Sequence, residues 1–339
     1  VAKSWKDWEK PVLELDETIR KLQAIVDKET DPERKTELSE RVQDYMRRRD
    51  AYLETRYSRL GPWEKVLIAR AETRPYTLDY INALCEDFVE LEGDRRFAAD
   101  HAIVGGPALM DGRRVMVVGH QKGRNIQERS YRNFGMAKPE GYRKAIRLFE
   151  MAERFRMPVI TFVDTPAADP GVESESRGIS EAIAAAMLSM FELTVPTVST
   201  VIGEGGSGGA IGIGGAIGIA VANHVMMQEH AVYSVIPPEG CAAILWRAAE
   251  KGAQAAAALQ LTSDSALKFG LVEEVLPEPF GGAHRDPLEA AQTVGRAIMA
   301  SLERQDKLSG AELKAERAAR FRRMGAYAES AVAAVLAES

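Results

Sequence analysis

A chain of 339 residues, 45% hydrophobic and 28% charged, has the apolar content to build one large domain or two small ones and is not disordered or fibrous in composition. Its net charge of −6 argues against wholesale nucleic-acid binding. With only Cys85 and Cys241, both read as inert buried thiols, it can build neither a disulfide framework nor a four-cysteine zinc site. The segment Val1 to Lys10 lacks the apolar region of a signal peptide. The longest apolar stretch, Ala210 to Met227, is broken by glycines, Asn223 and His224, so no membrane span is expected and the protein reads as cytoplasmic.

In chain order, the first pattern is helical. Leu15, Ile19, Leu22, Ile25 and Val26, then Leu38, Val42, Tyr45, Met46 and Leu53, recur at three- and four-residue steps in a charged background. Asp31-Pro32 divides this into a hairpin, with Pro32 in the first turn of the second helix. Residues 1–60 therefore form an N-terminal helical arm whose narrow apolar stripe needs a partner surface, and residues 61–339 form the main domain.

After Gly61-Pro62, β-branched runs alternate with helical ones. Strands are predicted at Val115 to Val118, Pro158 to Val163 and Pro196 to Ile202, with helices at Tyr142 to Phe155 and Ser180 to Leu193. The alternation implies βα crossovers and a largely parallel sheet. Further strands are expected at Val225 to Met227, Val232 to Ile236 and Leu271 to Val275, a helix at Glu239 to Glu250, and two charged helices from Leu288 onward. The hexapeptide 208–213 is repeated at once as 214–219; a straight six-residue helical extension rotates the downstream chain by about 240°, so a bulge or loop must absorb it.

Chemistry concentrates after the strand ending at Ile202. The run Gly203-Glu204-Gly205-Gly206-Ser207-Gly208-Gly209, followed by small residues, places backbone N–H groups at a helix start, where an oxyanion or phosphate sits. It is neither a P-loop nor a convincing dinucleotide fingerprint, and close packing is the competing explanation of the glycines. Asp164-Thr165-Pro166-Ala167-Ala168-Asp169-Pro170-Gly171 follows another strand and is expected to line the same cleft. Glu173 and Glu175 read as helix-capping residues and the five histidines as structural, so no acid–base pair and no metal site is assigned. The ten basic residues between Arg113 and Arg147, Lys122 and Arg124 among them, fit either a polyanion such as coenzyme A or a solvated face.

Taken together, Arg74 to Ile81, Phe88 to Arg95, Gly119 to Arg124, Arg132 to Met136, Pro139 to Ala145, Ile202 to Gly209, Tyr233 to Ile236, Pro238 to Ala242, Ile244 to Trp246 and Glu278 to Arg285 resemble the carboxyltransferase α subunit of bacterial multi-subunit acetyl-CoA carboxylase. The resemblance implies an α/β fold of crotonase-like (ClpP/crotonase) type, a spiral of ββα units. It implies transfer of a carboxyl group from carboxybiotin, presented by a biotin carboxyl carrier protein and charged by biotin carboxylase, to acetyl-CoA, giving malonyl-CoA for fatty acid synthesis. A β subunit bearing a zinc ribbon is implied as partner in an α2β2 assembly. Gly205 and Gly206 match the family's biotin-side oxyanion hole, and Gly208, Gly209, Lys122, Arg124, Thr165, Pro166 and Arg177 are expected to bind substrate.

The chain departs from the family at Ala167, where glycine is usual, and at Asp169, where tyrosine is usual; the repeated hexapeptide is a third departure. Competing expectations are a carboxyltransferase for another acyl-CoA such as propionyl-CoA, a crotonase-like hydratase or hydrolase with Glu204 as its carboxylate, a biotin-dependent decarboxylase subunit, and a scaffold without turnover.

Overall fold

A computed structural model describes residues 4–206 and 215–325. Two long helices come first, α1 (Trp5–Val26) and α2 (Pro32–Tyr57). Asp31 caps α2 through the Glu33 N–H at 3.0 Å and Pro32 sits at its start, as the break in the pattern implies. Short helices α3 (Pro62–Ala69) and α4 (Thr77–Leu84) lead into a hairpin of β1 (Ile103–Met110) and β2 (Arg113–His120). Its turn, Asp111-Gly112, has both φ angles positive, +48° and +71°, as a right-twisted hairpin requires.

The chain continues through α5 (Ile126–Tyr131), α6 (Pro139–Phe155), β3 (Val159–Thr165), α7 (Val172–Ser176), α8 (Ile179–Glu192) and β4 (Thr197–Gly206). Beyond residue 215 come β5 (His224–Gln228), β6 (Val232–Ser234), α9 (Pro238–Trp246), α10 (Gly252–Leu259), α11 (Ser263–Lys268), β7 (Glu274–Leu276), α12 (Pro287–Gln305) and α13 (Gly310–Arg322). The strand order is β1-β2-β3-β4-β5-β7, with β6 pairing the far end of β4; among the described strands the β1–β2 pair is antiparallel and the others are parallel.

The sheet is covered on both faces, which is why its strands read as unbroken apolar runs. Val159 and Val163 face α6 and α8 with Leu148, Phe149, Ala182 and Ile183, whereas Ile160 and Phe162 face α4 and α12 with Tyr80, Ile81, Val294 and Ile298. The arm packs on the body: Trp5 and Trp8 bury against Leu67 and Ile68. Buried Glu9 accepts from Arg285 at 2.9 Å and from the Tyr57 hydroxyl, and lies 3.0 Å from His284. Burial opposes the Glu9 charge, yet His284, Arg285 and Tyr57 together hold its pKa below the ordinary carboxylate value.

Several boundaries differ from expectation, among them β6, which stops at Ser234 and not at Ile236. The helix predicted over Glu239 to Glu250 stops at Trp246, because Arg247 adopts left-handed geometry and a new helix starts at Gly252. The strand predicted at Leu271 narrows to β7, and β4 does not end at Ile202 but runs on to Gly206. Among the described residues, no helix is long and apolar enough to cross a membrane. Cys241 is buried, and half-buried Cys85 has its thiol pushed up to about 11 by burial, with Asp111 adding to the shift.

Candidate active site

The parallel strands β2, β3 and β4 finish at one edge of the sheet, where α/β proteins gather their ligands. Lys122 follows β2, Asp164 and Thr165 close β3, and Glu204, Gly205 and Gly206 close β4. From Val163/Val201 to Thr165/Gly205, β3 advances two residues while β4 advances four, so β4 bulges at Ile202, Gly203 and Glu204. Past the bulge, Gly205 lies opposite Thr165 of β3 and Tyr233 of β6.

A network of charges fills the bulge. The Lys122 ammonium lies 2.7 Å from Asp164 Oδ1 and donates to Glu204 Oε2 at 2.7 Å. Arg70 Nε donates to the other Glu204 oxygen at 2.6 Å, and its Nη1 to Glu239 of α9 at 2.5 Å. The Glu204 backbone N–H donates to Asp164 Oδ1 at 2.9 Å. Burial raises the cost of the Glu204 charge, but Lys122 and Arg70 outweigh it and bring its pKa to about 2. Burial likewise works against the Lys122 ammonium, and the two carboxylates hold its pKa above the ordinary value. Asp164, fully buried, is pushed upward by that burial despite Lys122.

Beside the network, a recess of about 20 Å³ lies among Pro166, Gly205, Gly206, Val232, Ser234 and Ile236. That is room for about one water-sized group. It adjoins a cleft of about 180 Å³ lined by Arg70, Tyr76, Lys122, Arg129, Phe134 and Pro166. Phe134 is presented by three consecutive residues with positive φ, Asn133 (+45°), Phe134 (+57°) and Gly135 (+78°). Such strained backbone clusters at functional sites. The Thr165 hydroxyl fastens this turn by donating to Gly135 O at 2.7 Å.

The residues expected to bind substrate separate into groups. Pro166 lines both spaces, and Gly205 and Gly206 line the recess. Their glycine character has a local cause: a Cβ on Gly205 meets the Tyr233 ring at 2.5 Å, and one on Gly206 meets the Pro166 carbonyl oxygen at 2.0 Å. Close approach of the chain to itself thus accounts for both glycines. Thr165 is buried and serves the turn, and Lys122 is already matched by two carboxylates. Arg124 sits at the rim, paired with Asp79 at 2.6 Å and stacked over Tyr76 at 4.8 Å. Arg177 lines neither space; it holds buried Glu140 at 2.8 Å and covers Phe97. Gly208, Gly209, the expected helix start and the first hexapeptide copy lie outside the described residues. In the second copy, Gly215 packs on Ala167-Ala168 and Gly218 on Tyr142, and Ile217 to Ile219 form a short 3-10 turn.

Much of the basic stretch is internally paired: Arg113 with Asp306, Arg129 with Glu72, and Lys144 buried on Asp100 O, which favours a structural over a polyanion role. Asp169, where an aromatic was expected, accepts from Asn133 at 3.0 Å and from the Ser174 hydroxyl, which turns its charge into the loop. Arg70, Tyr76, Phe134 and Ser234 were not singled out as site residues: Arg70 lies outside the segments that carry the resemblance, and the other three lie within them with no spacing that assigns a role. Only the Asn-Phe-Gly turn at residues 133–135 carries a local signal.

The chain matches the family described as acetyl co-enzyme A carboxylase carboxyltransferase-like over residues 5–325. It is 49% identical over 323 residues to the acetyl-coenzyme A carboxylase carboxyl transferase subunit alpha of Geobacter metallireducens, covering 95% of this chain and 98% of that one. The Thermus thermophilus subunit of the same name is 47% identical, with 95% and 99% covered. Among solved structures, a Pseudomonas malonate decarboxylase hetero-tetramer in complex with coenzyme A superposes with a TM-score of 0.56 at 18% identity, over 73% of this chain and 97% of that one. Transcarboxylase 12S gives 0.56 at 19% identity over 78% of this chain and 45% of its own. These distant likenesses establish the shared fold, the crotonase-like α/β architecture implied by the sequence. Near-half identity along almost the whole of both chains goes further: this protein belongs to the acetyl-coenzyme A carboxylase carboxyltransferase alpha-subunit family.

Proposed function

We propose that this chain is the α half of a split carboxyltransferase that moves a carboxyl group from carboxybiotin to acetyl-CoA, yielding malonyl-CoA. The observation that carries the reading is the pairing of an oxygen-sized recess at Gly205 and Gly206 with a neighbouring carboxylate, Glu204, that two cations hold ionised at about pKa 2. A hydratase needs a carboxylate free to exchange protons near neutrality, and Glu204 is a poor candidate for that role. A carboxyl transfer needs oxyanion stabilisation and alignment instead.

The residues fit a biotin-side role. The recess has apolar walls at Val232 and Ile236 and room for one carbonyl-like oxygen, and the adjoining cleft is wide enough for a flat ring. Bound carboxybiotin supplies the carboxyl group and, once relieved of it, a base. This chain's part is then to hold the ureido oxygen with N–H donors of the Gly205-Gly206 segment, to wall the ring with Pro166 and Phe134, and to keep water out. Removing one preorganised donor typically costs about a hundredfold or more in rate.

The acyl-CoA side belongs in this reading to a β subunit carrying the zinc ribbon, within an α2β2 assembly served by the biotin carboxyl carrier protein and biotin carboxylase. Exposed Val235, between recess residues Ser234 and Ile236, and exposed Ile244 and Leu245 of α9, the helix that starts at the recess, are the apolar surface such a partner would cover. The test is malonyl-CoA-dependent carboxylation of free biotin by this chain, by its β partner and by the two co-purified. Turnover in the mixture alone supports the split enzyme; a stable, inactive mixture contradicts the acetyl-CoA assignment and directs the assay to propionyl-CoA chemistry.

A further inference from the structure

The bulge in β4 takes two of its backbone hydrogen bonds from charged side chains. The Ile202 carbonyl accepts from Arg74 Nε at 2.6 Å, and the Glu204 N–H donates to Asp164 at 2.9 Å. Asp164 fits so closely into the bulge that a Cβ on Gly203 meets its Oδ1 at 2.4 Å. Its Oδ2 is buried without a hydrogen-bond partner. The Lys122 ammonium lies on the oxygen that holds the bulge and on the side chain of the bulged residue itself. With side-chain exposures of 13% for Lys122, 1% for Asp164 and 10% for Glu204, the three are largely sealed from solvent. Gly205 and Gly206 follow at once.

We propose that Lys122 is a positioning residue for carboxyl transfer: its ammonium, shared between Asp164 and Glu204, locks the β4 bulge and so aims the Gly205-Gly206 segment into the recess. The proposal rests on the carboxyltransferase reading for its kinetic consequences, though not for its structural one. It assigns Lys122 inward, away from a role as a ligand for coenzyme A phosphates.

Among the described residues the surrounding charges offer no substitute: Arg129, which lines the cleft, is paired with Glu72 at 3.0 Å. Arg70, the residue that caps α3, serves Glu204 but is shared with Glu239 of α9. Arg74 is committed to Glu278, at 2.5 and 2.8 Å, and to Gln228. Tyr76 and Tyr80 feel the Asp164 charge as neutral phenols whose pKa is raised chiefly by burial, and buried His120 is held neutral, near pKa 3, by burial and by Lys122. Without Lys122, Asp164 loses its cation and Glu204 keeps only Arg70, itself shared with Glu239, so the Asp164 carboxyl, already raised by burial, is raised further and holds its proton more strongly. As pH rises that proton leaves, the pair repels, and the bulge opens. The predicted defect therefore grows toward alkaline pH.

The experiment compares wild type, Lys122→Met, Lys122→Arg and Lys122→Met/Asp164→Asn, each co-purified with the β partner. It measures malonyl-CoA-dependent biotin carboxylation from neutral to alkaline pH, together with amide hydrogen exchange at Gly203 to Gly206. Lys122→Met is expected to lower kcat about a hundredfold, the scale of a misplacement near 1 Å, with KM for malonyl-CoA unchanged and a further fall in kcat as pH rises. Lys122→Arg recovers most of the rate, and the double variant loses the alkaline fall. A raised, salt-sensitive KM with unchanged kcat makes Lys122 a phosphate ligand and overturns the proposal. Equal, pH-independent losses in the Met and Arg variants overturn it as well.

Amide exchange tests the clamp independently of turnover: the clamp requires faster exchange in Lys122→Met than in wild type or Lys122→Arg, and unchanged protection refutes it. Where Lys122→Met does not fold, the charge-matched double variant carries the same comparison against wild type: faster exchange at Gly203 to Gly206 supports the clamp, and wild-type protection refutes it. An inactive wild-type complex removes the carboxyltransferase reading and leaves the exchange result to decide the clamp.

Discussion

Replacing Gly206 with alanine puts a Cβ 2.0 Å from the Pro166 carbonyl oxygen, 2.5 Å from its carbonyl carbon and 2.9 Å from the Thr165 carbonyl oxygen. All three are backbone atoms. The segment that carries them is fastened by the Thr165 hydroxyl, which donates to Gly135 O at 2.7 Å and accepts from the Ala167 N–H at 3.2 Å, so it cannot swing aside as a side chain can. Comfortable non-bonded separation of heavy atoms begins at about 3.5 Å, which leaves roughly 1 to 1.5 Å to be found by moving the tip of β4. Displacement on that scale costs on the order of a hundredfold in rate when the moved group orients a reacting centre. Gly206→Ala is therefore expected to cut kcat for biotin carboxylation by about two orders of magnitude while KM for malonyl-CoA changes little. Gly205→Ala provides the internal comparison, because its Cβ meets the Tyr233 ring at 2.5 Å and a ring can tilt. Equal and small losses for the two variants, with unchanged melting temperatures, would refute the reasoning.

Glu204→Gln should lower kcat by about tenfold without removing an ionisation from the neutral pH profile, since Glu204 is charged throughout that range; loss of an acid limb in the profile would instead mark it as a proton carrier. Arg74→Met strips the partner from fully buried Glu278 and should cost about 3–5 kcal/mol in denaturant unfolding, with a value below about 1 kcal/mol contradicting the assignment. Glu204 and Glu278 fall from 4.5 to about 2 on folding, so their stabilisation is complete above pH 4.5 and disappears as pH drops toward 2. Asp100 and Asp164, raised by burial, contribute with the opposite sign. Melting temperatures across that interval should fall with acid, and a rise would show that the raised pair dominates. Arg285→Ala removes the guanidinium shared by Glu9 and Asp16 and should open α1 and α2 to limited proteolysis, readable as early cleavage within residues 5–57.

The parts of the fold legible in the sequence are those whose signal is local. Val159 to Val163 and Val198 to Ile202 are buried on both faces and read as uninterrupted apolar runs, and Asp31-Pro32 is a capped helix start in itself. β1 escaped because Gly105, Gly106 and Pro107 weaken a strand pattern, although an edge position tolerates all three; Gly106 is required there by the backbone of Val89. Gly203 to Gly206 read as a turn and proved to be strand, because the partner that continues the ladder, β6, lies some thirty residues downstream. The same non-locality hid the charge network of the candidate site. Lys122, Asp164 and Glu204 belong to three segments that meet only in the sheet, so the lysine was expected to face substrate and is instead held by carboxylates.

Anchoring of the arm through Glu9 bears on how the chain is made. Its partner His284 lies 275 residues later, and Arg285 one residue beyond that. At synthesis rates of about 5–20 residues per second, roughly 14 to 55 seconds separate the appearance of the two sides of this contact. During that interval Trp5, Trp8, Val26 and Val42 have only one another and the early helices to cover them. The charged faces of the hairpin, from Lys10 to Arg56, then keep the unfinished chain in solution until the carboxylate of Glu9 finds its place.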